Sequence, residues 1–154
     1  MLKAGDQAPG FALPDSDLHI VDLAQLLGSQ RVVLYFYPKD DTPGCTIEAL
    51  EFTDLEDAFS AANTVVLGVS PDSCVSHGAF RDKHGIAVRL LADTDGETAL
   101  SYGVWQERMA HGKAVSGLVR STFIIDRDGT LRHALYDVKP KGHAEEILRL
   151  VKEL

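Results

Sequence analysis

Arg31-Val32-Val33-Leu34-Tyr35-Phe36-Tyr37, followed by Pro38-Lys39-Asp40-Asp41-Thr42-Pro43-Gly44-Cys45, is the stretch on which the fold turns. Its first seven residues are dominated by β-branched and aromatic side chains and predict a fully buried strand. Pro38, with no backbone N–H to give a neighbouring strand, ends it. From Thr46 to Ser60 apolar residues recur at Ala49, Phe52, Leu55 and Phe59 with acids between them, the three-and-four spacing of an amphipathic helix. Cys45 therefore falls in that helix's first turn, just after a strand. Unpaired backbone N–H groups and the positive end of the helix dipole face this position, and both favour thiolate, the nucleophilic form, over thiol.

Working outward, Lys3 to Leu13 reads as a short extended segment, and Val21 to Leu27 as a short helix stopped by Gly28. Thr64 to Val69 is a second buried strand. Asp72 or Ser73 caps a helix running towards His84, with Gly85 after it. Val88 to Leu91 reads as a short strand or a loop, Glu97 to Tyr102 as a turn or two of helix, and Trp105 to Leu118, which has no clear period, as an irregular excursion. Ser121 to Asp126, Arg127-Asp128-Gly129 and Thr130 to Tyr136 form a β-hairpin signal. Ala144, Ile147, Leu148, Val151 and Leu154 make one stripe of a final amphipathic helix. This succession predicts one α/β domain over residues 1–154 with the thioredoxin-like order: a central mixed β-sheet flanked by helices on both faces. Open sheets of this class place their sites at the carboxyl ends of strands, where Cys45 lies.

Composition narrows the function classes. The chain has 154 residues, enough for a sizeable core, and no low-complexity run or repeat. With 23 acidic against 15 basic residues the net charge is −8, and the basic residues are scattered, which argues against nucleic acid as a partner. No run approaches the ~18 apolar residues of a membrane span, and Met1 to Asp6 lacks the apolar stretch of a signal peptide. A cytoplasmic location without membrane attachment is expected. In a reducing compartment the two cysteines, Cys45 and Cys74, read as free thiols or a functional pair rather than a structural staple.

Thr42 and Arg120 can carry chemistry, each beside a plainer reading, and the prolines near Cys45 have a plain one. Thr42 can donate its hydroxyl to a thiolate and accept from a substrate, or it can cap the helix. Pro38 and Pro43 punctuate a strand end and a first helical turn for steric reasons alone. Arg120, just before the strand that begins at Ser121, is either solvated surface or a fixed cation beside Cys45 that also holds a substrate oxygen. Only the fold can bring position 120 to position 45.

The chain resembles the peroxiredoxins, specifically the peroxiredoxin Q type also called bacterioferritin comigratory protein, over nearly its whole length. The similarity runs from Gly5-Asp6-Gln7-Ala8-Pro9 and Phe11-Ala12-Leu13-Pro14 to Tyr35-Phe36-Tyr37-Pro38 and Thr42-Pro43-Gly44-Cys45-Thr46, which fits the family's Pro-x-x-x-Thr-x-x-Cys signature. It continues through Gly68-Val69-Ser70 and Tyr102-Gly103-Val104-Trp105 to Arg120-Ser121-Thr122-Phe123-Ile124-Ile125-Asp126. The resemblance implies a thioredoxin fold and thiol-dependent reduction of hydrogen peroxide and organic hydroperoxides. It implies Cys45 as the peroxidatic cysteine, Thr42 and Arg120 as its activators, Pro38 as a shield over the thiolate, and no bound cofactor. It also implies recycling by thioredoxin, glutaredoxin or a low-molecular-weight thiol, with the protein a monomer or weak homodimer.

The chain departs from its relatives in the second cysteine. Many members carry a resolving cysteine five residues after the first, where this chain has Leu50; others carry it at the position occupied here by Arg81. Cys74 matches neither, yet it lies two helical turns before Arg81 and so on the same face. It reads equally as a resolving cysteine or as a small buried hydrophobe. Cys74, His77 and His84 have ligand-like spacing on that helix but no fourth ligand, so exposed polar residues are the simpler reading and no metal is expected. Trp105 and Tyr102 read as core aromatics or as the lining of a substrate mouth. Glu48 and Glu51 read as first-turn acids, with Glu48 also able to shape the pocket. The competing functional class is a non-enzymatic thioredoxin-like redox sensor or holdase switched by oxidation of Cys45.

Overall fold

The computed structural model describes every residue from Met1 to Leu154. The buried run starting at Arg31 is strand β3 (Arg31–Phe36), the centre of a five-stranded sheet. The other elements, numbered along the chain, are β1 (Ala12–Pro14), β2 (Ile20–Asp22), α1 (Leu23–Leu26), α2 (Pro43–Asp54), α3 (Glu56–Ala61), β4 (Thr64–Ser70), α4 (Cys74–His84), β5 (Arg89–Ala92), α5 (Glu97–Ser101), β6 (Trp105–Ala110), β7 (Lys113–Leu118), β8 (Ser121–Ile125), β9 (Leu131–Tyr136) and α6 (His143–Lys152). The sheet order is β5-β4-β3-β8-β9, with β3, β4 and β5 parallel and β8 and β9 antiparallel to their neighbours. This is the mixed sheet that the element order predicts.

The two faces of the sheet carry separate cores, because alternate residues of one strand point to opposite sides. Val33, Tyr35 and Tyr37 pack with Cys45, Phe52 and Phe59 of α2 and α3, Phe80 of α4 and Ile147 of α6. Val32, Leu34 and Phe36 pack with Leu23 of α1, Ala99 of α5, and Tyr102. Tyr35 stacks on Phe52 with ring centroids 4.7 Å apart, and Gly68 on the neighbouring strand makes room for it. A Cβ at Gly68 would come within 2.7 Å of Tyr35 Cζ.

Two registers build the site. Parallel pairing of β3 with β4 sets Phe36 beside Val69, so the loops leading into α2 and α4 leave the same edge. Antiparallel pairing of β3 with β8 sets Phe36 opposite Ser121, which places Arg120 at the carboxyl end of β3, where α2 begins. That pairing joins positions 120 and 45.

Four sequence expectations need correction. The helix expected from Thr46 to Ser60 begins at Pro43 and is broken at Leu55, whose N–H turns back to Phe52 O at 3.2 Å, so α2 and α3 are separate. Val21 and Asp22 belong to a strand; only Leu23–Leu26 is helical, with Asp22 Oδ1 accepting from the Ala24 N–H. Between Lys3 and Leu13 only Ala12 and Leu13 enter a strand, with Gln7 making an isolated bridge to Thr130. Residues 105–118 form a regular hairpin, β6 against β7, turning at His111 and Gly112, both at positive φ. Most of its residues are exposed, so no alternating pattern marks it. Ser73 rather than Asp72 caps α4, its hydroxyl accepting from the Ser76 N–H at 3.1 Å, and Gly85 ends it at φ 67°.

Gly68→Ala forces a methyl into the Tyr35 ring. It is expected to lower stability by about 1–3 kcal/mol, the usual cost of overpacking a core. Chemical denaturation checks this, and an unchanged midpoint would show that Tyr35 can yield.

Candidate active site

Cys45 is the third residue of α2, with only 1% of its surface exposed. Pro43 supplies the first helical position, where a missing N–H costs nothing. Gly44 follows, and a Cβ there would lie 3.2 Å from Arg120 Nη2 and 3.4 Å from Pro140 Cγ. The bare glycine therefore lets the guanidinium pass over the start of the helix to the sulfur.

Arg120 Nη2 donates to Cys45 Sγ at 3.3 Å, and its Nη1 donates to Glu48 Oε1 at 2.6 Å. One planar cation thus spans the thiol and a carboxyl one turn further along the same helix. Glu48 has no exposed surface, and its Oε2 has no hydrogen-bond partner. Burial pushes Glu48 up to about 7, against the pull of Arg120. Burial opposes the Arg120 charge in turn, but Glu48 and Cys45 outweigh it and hold the guanidinium protonated. Tyr35 lies in the same core, its hydroxyl buried without a partner, and burial followed by the nearby Glu48 and Cys45 raises it well above the ordinary phenol value.

The predicted site residues fall as follows. Arg120 is half-buried against Cys45, not solvated surface. Thr42 occupies the N-cap position of α2, but its hydroxyl makes no cap bond; it donates to the Lys39 carbonyl at 2.9 Å instead of to Cys45. Pro38 is exposed in the loop between β3 and α2. Cys74 is the first residue of α4 and half-buried, and both cysteines are free thiols. Tyr102 is core, its hydroxyl donating to Pro9 O, whereas Trp105 is 43% exposed. The candidate ligands do not cluster: His84 Nε2 contacts Asp41 Oδ1, and His77 is fully buried against Asp40, so neither the metal reading nor the exposed-polar reading describes His77.

Sequence reasoning took Glu48 chiefly as a first-turn acid. Its signal was present: it lies three residues after Cys45, inside the buried stripe with Ala49 and Phe52. His143 was missed altogether. At the start of α6, its Nε2 lies 2.7 Å from Thr122 Oγ1, and burial pushes it below the ordinary histidine value, with Glu146 opposing and Arg120 adding to the push.

A buried thiol bonded to an arginine at a helix start fits a family of known enzymes. The AhpC/TSA family model matches residues 4–134. The chain belongs to the AhpC/TSA family, as a peroxiredoxin of the Bcp/peroxiredoxin Q type. It is 41% identical to peroxiredoxin Bcp of Escherichia coli over 152 residues, 99% of this chain and 97% of that one. It is similar to the solved peroxiredoxin Q of Xylella fastidiosa, with a TM-score of 0.93, 37% identity and coverage of 99% and 97% of the two chains. It is also similar to a bacterioferritin comigratory protein of Xanthomonas campestris, studied for alkyl peroxide reduction, with a TM-score of 0.89, 38% identity and coverage of 93% and 90%. No helix of this peroxiredoxin is long and apolar enough to cross a membrane.

The Glu48 shift has a definite sign. A carboxyl whose folded-state value lies above its ordinary 4.5 binds extra protons when folded. Its contribution is therefore fully present below about pH 4.5 and is lost as pH rises through about 7. Glu48→Gln lacks this loss. Thermal melts of both proteins should show the variant gaining on wild type across that window and holding level above it; a constant difference would contradict the assignment.

Proposed function

We infer that the protein is a thiol-dependent peroxidase that reduces hydrogen peroxide and organic hydroperoxides through Cys45. The observation that carries this reading is the 3.3 Å hydrogen bond from Arg120 to the Cys45 sulfur in a buried helix start. The Cys45 thiolate attacks the nearer peroxide oxygen, and the O–O bond breaks. The farther oxygen leaves as hydroxide or alkoxide and takes up a proton to become water or an alcohol. Negative charge grows on that leaving oxygen. The Arg120 guanidinium and the backbone N–H groups of the first turn of α2 are the donors suited to stabilise it, the electrostatic contribution that dominates many such reactions. Glu48 fixes the guanidinium from its other nitrogen. Thr42 keeps its hydroxyl oxygen free to accept from the hydroperoxide proton while its own proton stays on the Lys39 carbonyl. Pro38 flanks the loop and limits access to the sulfur.

The product on the protein is Cys45 sulfenic acid. A thiol condenses with it to a disulfide with loss of water, and a second thiol reduces that disulfide. In this reading the first thiol is Cys74 or that of thioredoxin, glutaredoxin or a low-molecular-weight reductant, and the protein works in the cytoplasm as a monomer or weak homodimer. A sensor or holdase would be oxidised once and wait for a partner, whereas a peroxidase turns over.

A coupled assay with thioredoxin, thioredoxin reductase, NADPH and hydrogen peroxide should show continuous NADPH consumption that Cys45→Ser abolishes. A single stoichiometric oxidation would instead favour the sensor. Arg120→Met is expected to lower peroxide reactivity by on the order of ten- to a thousand-fold with the fold retained, as loss of one transition-state donor does. A change within about twofold, the scatter of a surface substitution, would remove Arg120 from the chemistry. One equivalent of peroxide, thiol blocking and peptide mapping decide the second cysteine: a Cys45–Cys74 link makes it resolving, and an alkylatable Cys74 beside Cys45 sulfenic acid makes the enzyme one-cysteine.

A further inference from the structure

The strongest feature outside the described chemistry is a closed polar cluster that ties the loop before α2 to helix α4. Asp40, at one of the unspecified positions of the Pro-x-x-x-Thr-x-x-Cys signature, is 8% exposed, and His77 on α4 is 0% exposed. Asp40 Oδ2 accepts from Ser76 Oγ at 2.8 Å and faces His77 Nδ1 at 2.7 Å, while Oδ1 accepts from the Tyr37 hydroxyl at 2.6 Å. The Asp40 N–H donates to Asp72 Oδ2 at 2.8 Å. His77 Nε2 faces the Leu91 carbonyl at 2.9 Å, so both ring nitrogens are engaged, one by the loop and one by β5. Asp40, Asp72 and His77 bring ligand-type atoms within 4.8 Å of one another, but these hydrogen bonds already engage them, so the cluster is a tie and not a cation cage.

The tie bears on Cys45 through the chain between them. Cys45 has 1% of its surface exposed. A thiol that reduces its sulfenic acid must reach that sulfur, so the segment carrying it must move. Helix α4 is packed on the sheet through the buried Phe80 and His77, so the contacts between α4 and the loop decide how firmly the loop is held. Two sets of contacts hold the loop to α4. Asp41, at φ 60°, accepts from Lys83 and His84, but these pairs are exposed and weak. The Asp40–His77 pair is buried, and separating it leaves buried polar groups without their partners until water enters.

We propose that Asp40 and His77 are positioning residues that latch the Pro38–Thr42 loop to α4, holding Cys45 in its buried, Arg120-bonded seat, and that opening this latch exposes the oxidised sulfur to the reducing thiol. The proposal rests on the reading of Cys45 as the peroxide-reducing thiol. Holding the seat favours attack on peroxide and opening it favours recycling, so a weakened latch moves the two steps in opposite directions.

The test uses the full chain with Cys74→Ser, leaving Cys45 as its one thiol. The rate of Cys45 oxidation by hydrogen peroxide and the rate of Cys45 alkylation by a polyethylene-glycol maleimide are measured for that parent and for added His77→Gln, Asp40→Asn and Ser76→Ala. His77→Gln and Asp40→Asn should raise alkylation tenfold or more and lower peroxide oxidation threefold or more. Ser76→Ala, which removes one partly buried hydrogen bond, should move both rates in the same directions by a smaller factor, and it carries the test alone if the other two do not fold. Arg31→Gln, which breaks the Arg31–Asp126 pair at the opposite end of β3, controls for general loss of stability and should change neither rate. Alkylation within twofold of the parent in the folded latch variants, a fall of both rates together, or an equal rise in Arg31→Gln would overturn the latch. A parent that does not react with peroxide would overturn the reading of Cys45 instead, and the alkylation ratios would still decide the latch.

Discussion

Everything at the site depends on one guanidinium doing two things. Arg120 gives one nitrogen to Cys45 and another to Glu48, and a flexible ammonium could not hold both in one plane. The thiol and the carboxyl share one helical face, so the cation must enter across the start of that helix. The glycine before Cys45 and the strand pairing behind Arg120 are the conditions for that entry. Neither brings charge to the reaction, yet both decide where charge can stand.

The same neighbourhood holds the two buried side-chain oxygens without partners, Tyr35 Oη and Glu48 Oε2. Unpaired buried polar atoms oppose folding by on the order of 1–3 kcal/mol each. A core built for stability alone would place phenylalanine and leucine there. Their concentration around Cys45, in a sheet otherwise packed with aliphatic and aromatic side chains, marks the region where stability has yielded to chemistry.

Much of this was legible in the chain. The buried run at Val32–Tyr37, the stripe of α2, the Asp-Gly hairpin and the stripe of α6 are each written in a short contiguous stretch, and such local signals announce themselves. The β6–β7 hairpin did not, because a strand pair solvated on most of its surface writes no alternation. Cys45 was legible because a strand, a proline and a helix start are all local. Arg120 gained its place from the resemblance to known enzymes, since 75 residues separate it from the sulfur. Asp40 and His77 were opaque for the same reason: they stand 37 positions apart, and nothing in either neighbourhood names the other. Thr42 showed the opposite limit, a correct position with its hydroxyl turned to a different acceptor.

The antiparallel register of β3 and β8 also orders events during folding. Strands β3 and β4 and helix α2 can associate from one contiguous stretch, but the cation, Arg120, lies 50 residues beyond the end of β4 at Ser70 and reaches them only once β8 has docked. Contacts of such long sequence separation close late. A half-folded chain therefore holds Cys45 without its arginine, in a sheet whose central strand still has an open side. The reactive thiol and the finished sheet arrive together, so a peroxide challenge reads out completion of the fold as well as the chemistry of the site.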